Sequence, residues 1–525
     1  MRPVTIGSGS TLTPPVEEIG AKAANLARMA ALGLPVPPAF VLPISLCGAI
    51  TRGEPGAERE VAKALEEGIA FLEQATGRVF GDSRRPLLVS VRSGAARSMP
   101  GMLETVLDVG CTPAAVRGLV RLSGNPRFAW DCRRRFLESF GSVVLGIDPA
   151  AFAEPAAALA RSEGVRDATA LDGEALERLC ALLQQVIDEG EDVIPDAPRA
   201  QLEAAAAAVY RSWDSPRART YRKLEKLEHL AGTAVTVQAM VFGNRSLTSG
   251  SGVAFSRDPS TGANRPVIDV LFEAQGEDVV SGVRNPEGEA ALDRRVPHAA
   301  DGLRAILRQL EQGFADVQDV EFTIEDGRLF ILQTRSAKRT PQAALRIAID
   351  LVREGLIRPS EGLSRLEGID LERLSRRTLA DAGPVVGSGT PASAGVAVGR
   401  VAFDTEAARR LAATGASVIL IRPDTNTADV EGFALAAGIV TAAGGRTAHA
   451  ALVARQMGKP CLVGCTTLTV DPAARRARLG ETELAEGDLL ALDGATGTLH
   501  LGSARVVEER FEAERAEVET WRVPA

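Results

Sequence analysis

The sequence predicts an α/β protein of several domains, and three observations carry that expectation. Its 525 residues are too many for one hydrophobic core, and at roughly 100 to 200 residues per domain about three are expected. Short apolar, β-branched runs alternate with stretches at helical spacing. A Gly-, Pro- and Ser-rich passage, GPVVGSGTPASAG at 383–395, marks a boundary before the last strand-rich portion.

From residue 1 to about 110, runs such as GLPVPPAFVLP and PLLVSVRSGA read as strands of an α/β layer. From about 112 to 230 the pattern turns helical, with Ala, Leu and Arg spaced as in TPAAVRGLVRL and RAQLEAAAAAVYRSW, so a helical insertion is expected there. Strand character returns in AVTVQAMVFG and DVEFTIEDGRLFILQTR, closing a first large domain (1–340). Two helical segments, AALRIAIDLVREGL and EGLSRLEGIDLERLSRR, form a linker (341–388). The portion 389–503 alternates strands with one helix after Gly445, and the remainder, 504–525, reads as a charged helix.

Hydrophobic residues make up 45% and charged residues 24%, which leaves little room for disordered tails. A net charge of -8 and a pI near 5.4 argue against a broad nucleic-acid surface, which needs a basic footprint. An anionic ligand must therefore meet a local group of cations. No apolar leader opens the chain and no stretch stays apolar for the ~20 residues of a membrane span, so a cytoplasmic location without a membrane partner is expected. The six cysteines lack CxxC spacing and are expected to be buried thiols. Only six of the 60 basic residues are lysines. Lysine and arginine are not interchangeable at a phosphate, which draws attention to Lys22.

The segment TAAGGRTAHAALVARQMGKP runs from a strand through Gly444 and Gly445 into an apolar-periodic helix. The glycines suit a tight turn, Thr447 suits a cap, and His449 falls in the first helical turn. A phosphoryl group on His449 would meet unpaired backbone N–H groups and the positive end of the helix dipole. The other three histidines, His229, His298 and His500, have no comparable setting.

DVQDVEFTIEDGRLFILQTR reads as a hairpin around Glu325, Asp326 and Gly327. A three-residue loop ending in a left-handed Gly competes with a two-residue Asp-Gly turn. The three-residue loop is expected, because it gathers Val320, Phe322, Ile324, Phe330 and Leu332 on one face. The other face would then carry Asp319, Glu321, Gln333 and Arg335. Asp319, Glu321 and Gln333 offer hard oxygen ligands suited to Mg²⁺. In LLVSVRSGAARSMPGMLETVL, Arg92 precedes a loop with Gly94, Ser98 and Gly101, where a backbone and a guanidinium can approach phosphate oxygens. Gln238 and Met240 sit near a strand edge where an adenine can rest, with a plain core strand as the alternative.

Taken together, GAKAANLARMAALGLPVPP, LLVSVRSGAARSMPGM, SGSGVAFSRDPSTGA, AQGEDVVSG, DVEFTIEDGRLFILQTRSAKRT and GGRTAHAALVARQMGKP resemble the pyruvate, phosphate dikinase family, in the same order over essentially the whole chain. The resemblance implies an ATP-grasp-like nucleotide-binding domain followed by a swivelling β/β/α domain bearing a phosphorylated histidine. By position, Lys22 and Arg92 match the family's polyphosphate contacts, and Glu277, Asp319, Glu321, Gln333 and Arg335 its metal and phosphate groups. Gln238 and Met240 match the stretch beside the adenine, and His449 the phosphocarrier. Arg135 matches a phosphate ligand, with its neighbour Arg134 as the alternative alignment. Thr447 matches a threonine that a regulatory kinase modifies in some members.

The implied cofactors are ATP and Mg²⁺. The implied chemistry takes ATP and inorganic phosphate to AMP, pyrophosphate and phosphohistidine. The family continues into an α/β barrel that binds pyruvate and phosphoenolpyruvate, whereas this sequence stops at Ala525. The acceptor, pyruvate or another small molecule, is therefore expected on a separate chain. A phosphotransferase for a different acceptor and a non-catalytic nucleotide-binding module are the other readings.

Overall fold

Alternating apolar residues and buried β-branched side chains make the strands of the first sheet. In the computed structural model these are β1 (Val4–Ile6), β2 (Ala39–Leu42), β3 (Val89–Ala95), β4 (Thr105–Val109) and β5 (Thr233–Ala239), in the order β1-β2-β5-β3-β4 with antiparallel neighbours. The structure describes residues 2–7, 13–97, 99, 102–190, 193–281, 285–424, 429–446, 448–472 and 474–522, with the side chains of 280, 281 and 449 outside that description. Two units divide the chain: 1–246 with 330–334, and 247–329 with 335–525.

In the first unit, helix α1 (Val16–Ala31) precedes β2, and a run of helices between Pro113 and Leu224 separates β4 from β5. Polar caps and prolines start these helices. Thr112 Oγ1 accepts the Ala115 N–H at 3.2 Å, and Asn125 Oδ1 accepts the Phe128 N–H at 3.1 Å at the head of α2 (Pro126–Phe140). Each is followed by Pro at the first helical position, where a missing N–H costs nothing. One face of the sheet sends Phe40, Leu42, Val89, Val91, Val235 and Val237 into a core shared with Phe128, Phe136 and Leu137 of α2. The opposite face is packed by α1, whose Ala23 and Ala27 are buried.

The second unit holds β6 (Gly250–Phe255), β7 (Val267–Phe272), β8 (Glu287–Gly288), β9 (Gln318–Glu325) and the ends of β10 (Arg328–Ser336), whose residues 330–334 count with the first unit; the strand order is β8-β7-β6-β9-β10. A short helix, α3 (Gly276–Ser281), follows β7. Helix α4 (Pro341–Arg353) lays Ala343, Ile347 and Leu351 on Phe255, Val267 and Val317. A buried charge network fixes its far end: Arg257 Nε and Nη2 donate to Glu311 Oε1 at 2.9 and 2.6 Å, and Nη2 also donates to Glu354 Oε2 at 2.6 Å. A cation this deeply buried persists only when carboxylates surround it.

Beyond α4, apart from a small antiparallel sheet of Leu468–Asp471, Arg476–Leu479 and Thr482–Ala485, the strands are β11 (Ser375–Ala380), β12 (Val385–Ser388), β13 (Thr390–Ser393), β14 (Val396–Ala402), β15 (Val418–Arg422), β16 (Gly438–Thr441), β17 (Cys461–Val463), β18 (Leu489–Asp493), β19 (Thr498–Leu501) and β20 (Arg505–Arg510). Eight of them form one sheet, β12-β19-β18-β14-β15-β16-β17-β13, in which β14 to β17 run parallel. Hydrophobic clusters cover both faces, as buried parallel strands require. Helix α5 (His449–Gln456) contributes Ala450, Ala451 and Ala454 to one of them. All six cysteines are buried and unpaired. Among the described residues no helix is long and apolar enough to cross a membrane.

Two expectations near the ends of this unit need correction. The helix expected over 504–525 starts only at Glu512 as α6 (Glu512–Thr520), and the helical pattern at 361–377 covers only Pro359–Arg365. Residues 375–380 and 505–510 instead pair antiparallel as β11 and β20, with Arg376 opposite Glu509 and Arg377 opposite Glu508. Valines at 506 and 507 suit a strand, and a partner more than 120 residues away along the chain decided the matter. Helix α6 packs Val518 against Leu345, Ala348 and Ile349 of α4.

Candidate functional site

In the first unit a glycine makes the local geometry possible. Gly20 has φ +78° and kinks α1, and any Cβ there would overlap the Gly94 carbonyl oxygen of β3. This backbone contact seats Lys22, which is exposed, two residues from Gly20. On β3 the register pairs Ser90, Arg92 and Gly94 with Gln238, Thr236 and Ala234 of β5, so all six share the face beneath α1. Arg92 is half-buried, and its Nε is a buried donor with no acceptor. Gln238 is buried and donates Nε2–H to Pro37 O at 3.2 Å. Met240 is half-buried just past β5, its N–H on Leu88 O at 2.9 Å. Ser98 and Gly101 lie outside the described residues.

Arg135 and Arg134 lie buried on α2 and share Asp131. Arg134 Nε and Nη2 donate to Asp131 Oδ1 at 3.0 and 2.7 Å, and its Nη1 reaches Glu138 Oε2 at 2.7 Å. Arg135 Nε and Asn244 Nδ2 donate to Asp131 Oδ2 at 2.9 and 2.7 Å. Burial works against ionisation of Asp131, but the two guanidinium groups outweigh it and hold the carboxyl well below the usual range.

In the second unit the β9–β10 hairpin departs from the expected loop. Glu325 and Arg328 are both strand residues, leaving a two-residue turn in which Asp326 and Gly327 have φ of 49° and 78°. That mirror-image turn matches the twist of the strands, and Asp and Gly tolerate positive φ. Leu329 and Ile331 are the buried apolar residues of β10, whereas Phe330 and Leu332 are half-buried. Burial then slips by one residue: Leu332 and Gln333 are both intermediate and Thr334 is buried. Past this slip Arg335 Nε donates to Asp319 Oδ2 at 2.8 Å.

Asp319 is buried, and its Oδ1 accepts no hydrogen bond. Burial pushes its carboxyl above the ordinary value, Arg335 opposes the shift, and the neighbouring Glu321 carboxylate reinforces it. An orphaned carboxylate oxygen beside a second carboxylate fits a hard divalent cation. Among the described residues no group of three or more His, Cys, Asp or Glu side chains forms a metal cage. A cation here would thus rely on few protein ligands, the habit of Mg²⁺. Glu277 lies exposed in the first turn of α3.

His449 is the first residue of α5, with Ala448 at the N-cap and no capping side chain; Thr447, expected as the cap, lies outside the described residues. The loop before it rests on the second sheet. Gly444 N–H donates to Asn285 Oδ1 at 2.9 Å, and a Cβ on Gly445 would overlap Pro286. Arg446 donates its backbone N–H to Asp269 Oδ2 at 2.8 Å and Nη1–H to Asp269 Oδ1 at 3.0 Å. Arg455, at the far end of α5, donates Nε–H to Ala392 O at 2.8 Å and bonds back to Arg446 O. Sequence reasoning missed Asp269 and Asp131. A lone Asp inside the apolar run VIDVLF was the available signal for the first.

Residues 57–296 and 291–355 match the profile of the pyruvate phosphate dikinase AMP/ATP-binding domain, and 415–497 match the mobile domain of PEP-utilising enzymes. Pyruvate, phosphate dikinase of Clostridium symbiosum is 42% identical over 510 residues, covering 96% of this chain and 58% of that protein. Pyruvate, phosphate dikinase 2 of Zea mays is 42% identical over 495 residues, 93% of this chain and 56% of that protein. The Rhizobium meliloti enzyme is 39% identical over 520 residues, 96% and 58% respectively. The chain thus spans a little over half the length of these curated relatives.

Replacing Gly20 with Ala should lower stability by about 3 kcal/mol, since the side chain meets backbone and φ is positive; chemical denaturation reads this, and an unchanged midpoint refutes the packing described. Asp131→Asn removes the carboxylate that two buried guanidinium groups share and should cost about 3 kcal/mol at pH 7. Because the folded carboxyl titrates below its unfolded value near 3.9, its stabilisation is complete above that pH and fades below it. The gap between wild type and variant, followed by denaturation at several pH values, should therefore narrow as pH drops below about 4.

Proposed function

Because the chain belongs to the pyruvate phosphate dikinase family, matching its AMP/ATP-binding domain over more than half its length, we propose that it phosphorylates its own His449 from ATP. Inorganic phosphate takes part, AMP and pyrophosphate leave, and the phosphoryl group passes on to pyruvate or another small acceptor. Residues 1–340 serve as an ATP-grasp-like nucleotide-binding domain. Residues 389–503 serve as a swivelling β/β/α domain, with 341–388 as its linker.

One observation carries this reading. The loop leading into His449 is hydrogen-bonded to Asp269 and Asn285, and Asp269 belongs to the same sheet as Asp319 and Glu321. A histidine-bearing loop held on the sheet that offers metal-type carboxylates is what transfer between them requires.

Phosphoryl transfer is accelerated chiefly by positioning and charge stabilisation. Lys22, Arg92 and Arg335 supply cations for the polyphosphate, whereas Arg135 is buried against Asp131; Gln238 and Met240 flank the base. Asp319, Glu321 and Gln333 would hold Mg²⁺, which when bound neutralises phosphate charge and fixes its oxygens; Glu277 supports the same group. Arg335, bonded to Asp319, keeps one carboxylate oriented while leaving its second oxygen for the cation. His449 must attack as neutral imidazole, since only that form offers a lone pair.

Incubation with Mg²⁺ and ATP labelled at the β-phosphate should give acid-labile, alkali-stable label on the wild-type chain and none on His449→Ala. Label that survives in the variant removes His449 from the reaction. Loss of label on adding pyruvate identifies pyruvate as the acceptor, and retention points to another acceptor.

A further inference from the structure

The face of the first sheet beneath α1 contains a second polar atom that lacks a partner. Thr236 is 5% exposed and its Oγ1 makes no hydrogen bond. It pairs across the strands with Arg92, whose Nε is the other orphaned atom. Paired residues share one face with Cβ atoms about 5 Å apart, so the two unsatisfied donors belong to neighbouring side chains on that face.

A buried hydroxyl without a partner is costly, and replacing it by a methyl group is ordinarily neutral or favourable. Valine would fit this position as well as it fits the neighbouring Val235 and Val237. The two atoms are also chemically matched to one kind of third atom. Arginine Nε–H only donates, and threonine O–H can donate, so both are satisfied by an oxygen carrying negative charge. Beside them, Gly94 keeps space open: a Cβ there would lie 4.0 Å from Thr236 Oγ1.

We propose that Thr236 is a further polyphosphate-binding residue, its hydroxyl and Arg92 Nε–H donating together to one anionic oxygen of the nucleotide. This rests on the nucleotide reading given above and adds to it a group on β5, opposite Arg92. The hydroxyl is held back from every protein acceptor, so ligand-free protein bears the cost and bound nucleotide relieves it.

The test uses the full chain with Mg²⁺ and the ATP analogue bearing a methylene bridge between the α- and β-phosphorus atoms, titrated calorimetrically. Thr236→Val should weaken binding about tenfold, the order expected for one charge-assisted hydrogen bond. Thr236→Ser should restore affinity to within about threefold. The ligand-free Tm of Thr236→Val should equal or exceed that of wild type, because an unsatisfied group has gone, while its Tm rise on adding the analogue shrinks.

Equal analogue affinity in Thr236→Val and wild type would overturn the inference. Weaker binding together with a lower ligand-free Tm would also overturn it, marking Thr236 as structural. If the wild-type chain binds no analogue at all, the nucleotide reading itself fails, and this inference fails with it.

Discussion

Backbone against backbone at Gly20 and Gly94 is the constraint on which the first unit's chemistry depends. Helix α1 lies this close to the polar face of the sheet only because Gly20 has no side chain at that contact. An ordinary separation between a helix and a sheet is set by side chains and would lift Lys22 away from the strand that carries Arg92. Close approach brings a cost: Arg92 Nε and Thr236 Oγ1 end up shielded from water with nothing to bond. Structures tolerate such orphans where a ligand completes them.

The second unit is organised by carboxylates that answer cations. Glu311 and Glu354 hold Arg257, Asp319 receives Arg335, and Asp269 receives both the backbone and the side chain of Arg446. The three pairs differ in what remains. Arg257 is surrounded by acids and acts as a bolt between the sheet and α4. Asp319 keeps one oxygen unused beside Glu321, an arrangement that costs stability until a cation arrives. Asp269 fastens the loop that precedes His449, so the position of the first residue of α5 depends on a strand some 180 residues earlier in the chain.

Much of this was legible before any coordinates. Gly444 and Gly445 ahead of an apolar-periodic stretch placed His449 at a helix start, where it lies. The candidate residues Lys22, Arg92, Gln238 and Met240 were read separately, and pairing puts Arg92 and Gln238 on one face. The hairpin misled because Phe330 and Leu332 were counted as its apolar face; Leu329 and Ile331 are the buried pair, and the polar residues follow a slip in the pattern. A period-two reading assumes an unbroken pleat, and one irregular residue inverts everything beyond it.

By itself the sequence determined the α/β class and the strand-to-helix passage that carries His449, because these follow from local spacing and chemical type. Tertiary structure alone decided that residues 375–380 and 505–510 are strands and that Asp131 and Asp269 orient arginines. It alone left Thr236 and Arg92 without partners. Each of these is a relation between segments far apart in the chain, and local propensity carries no information about which distant group will arrive to satisfy a charge or an open strand edge.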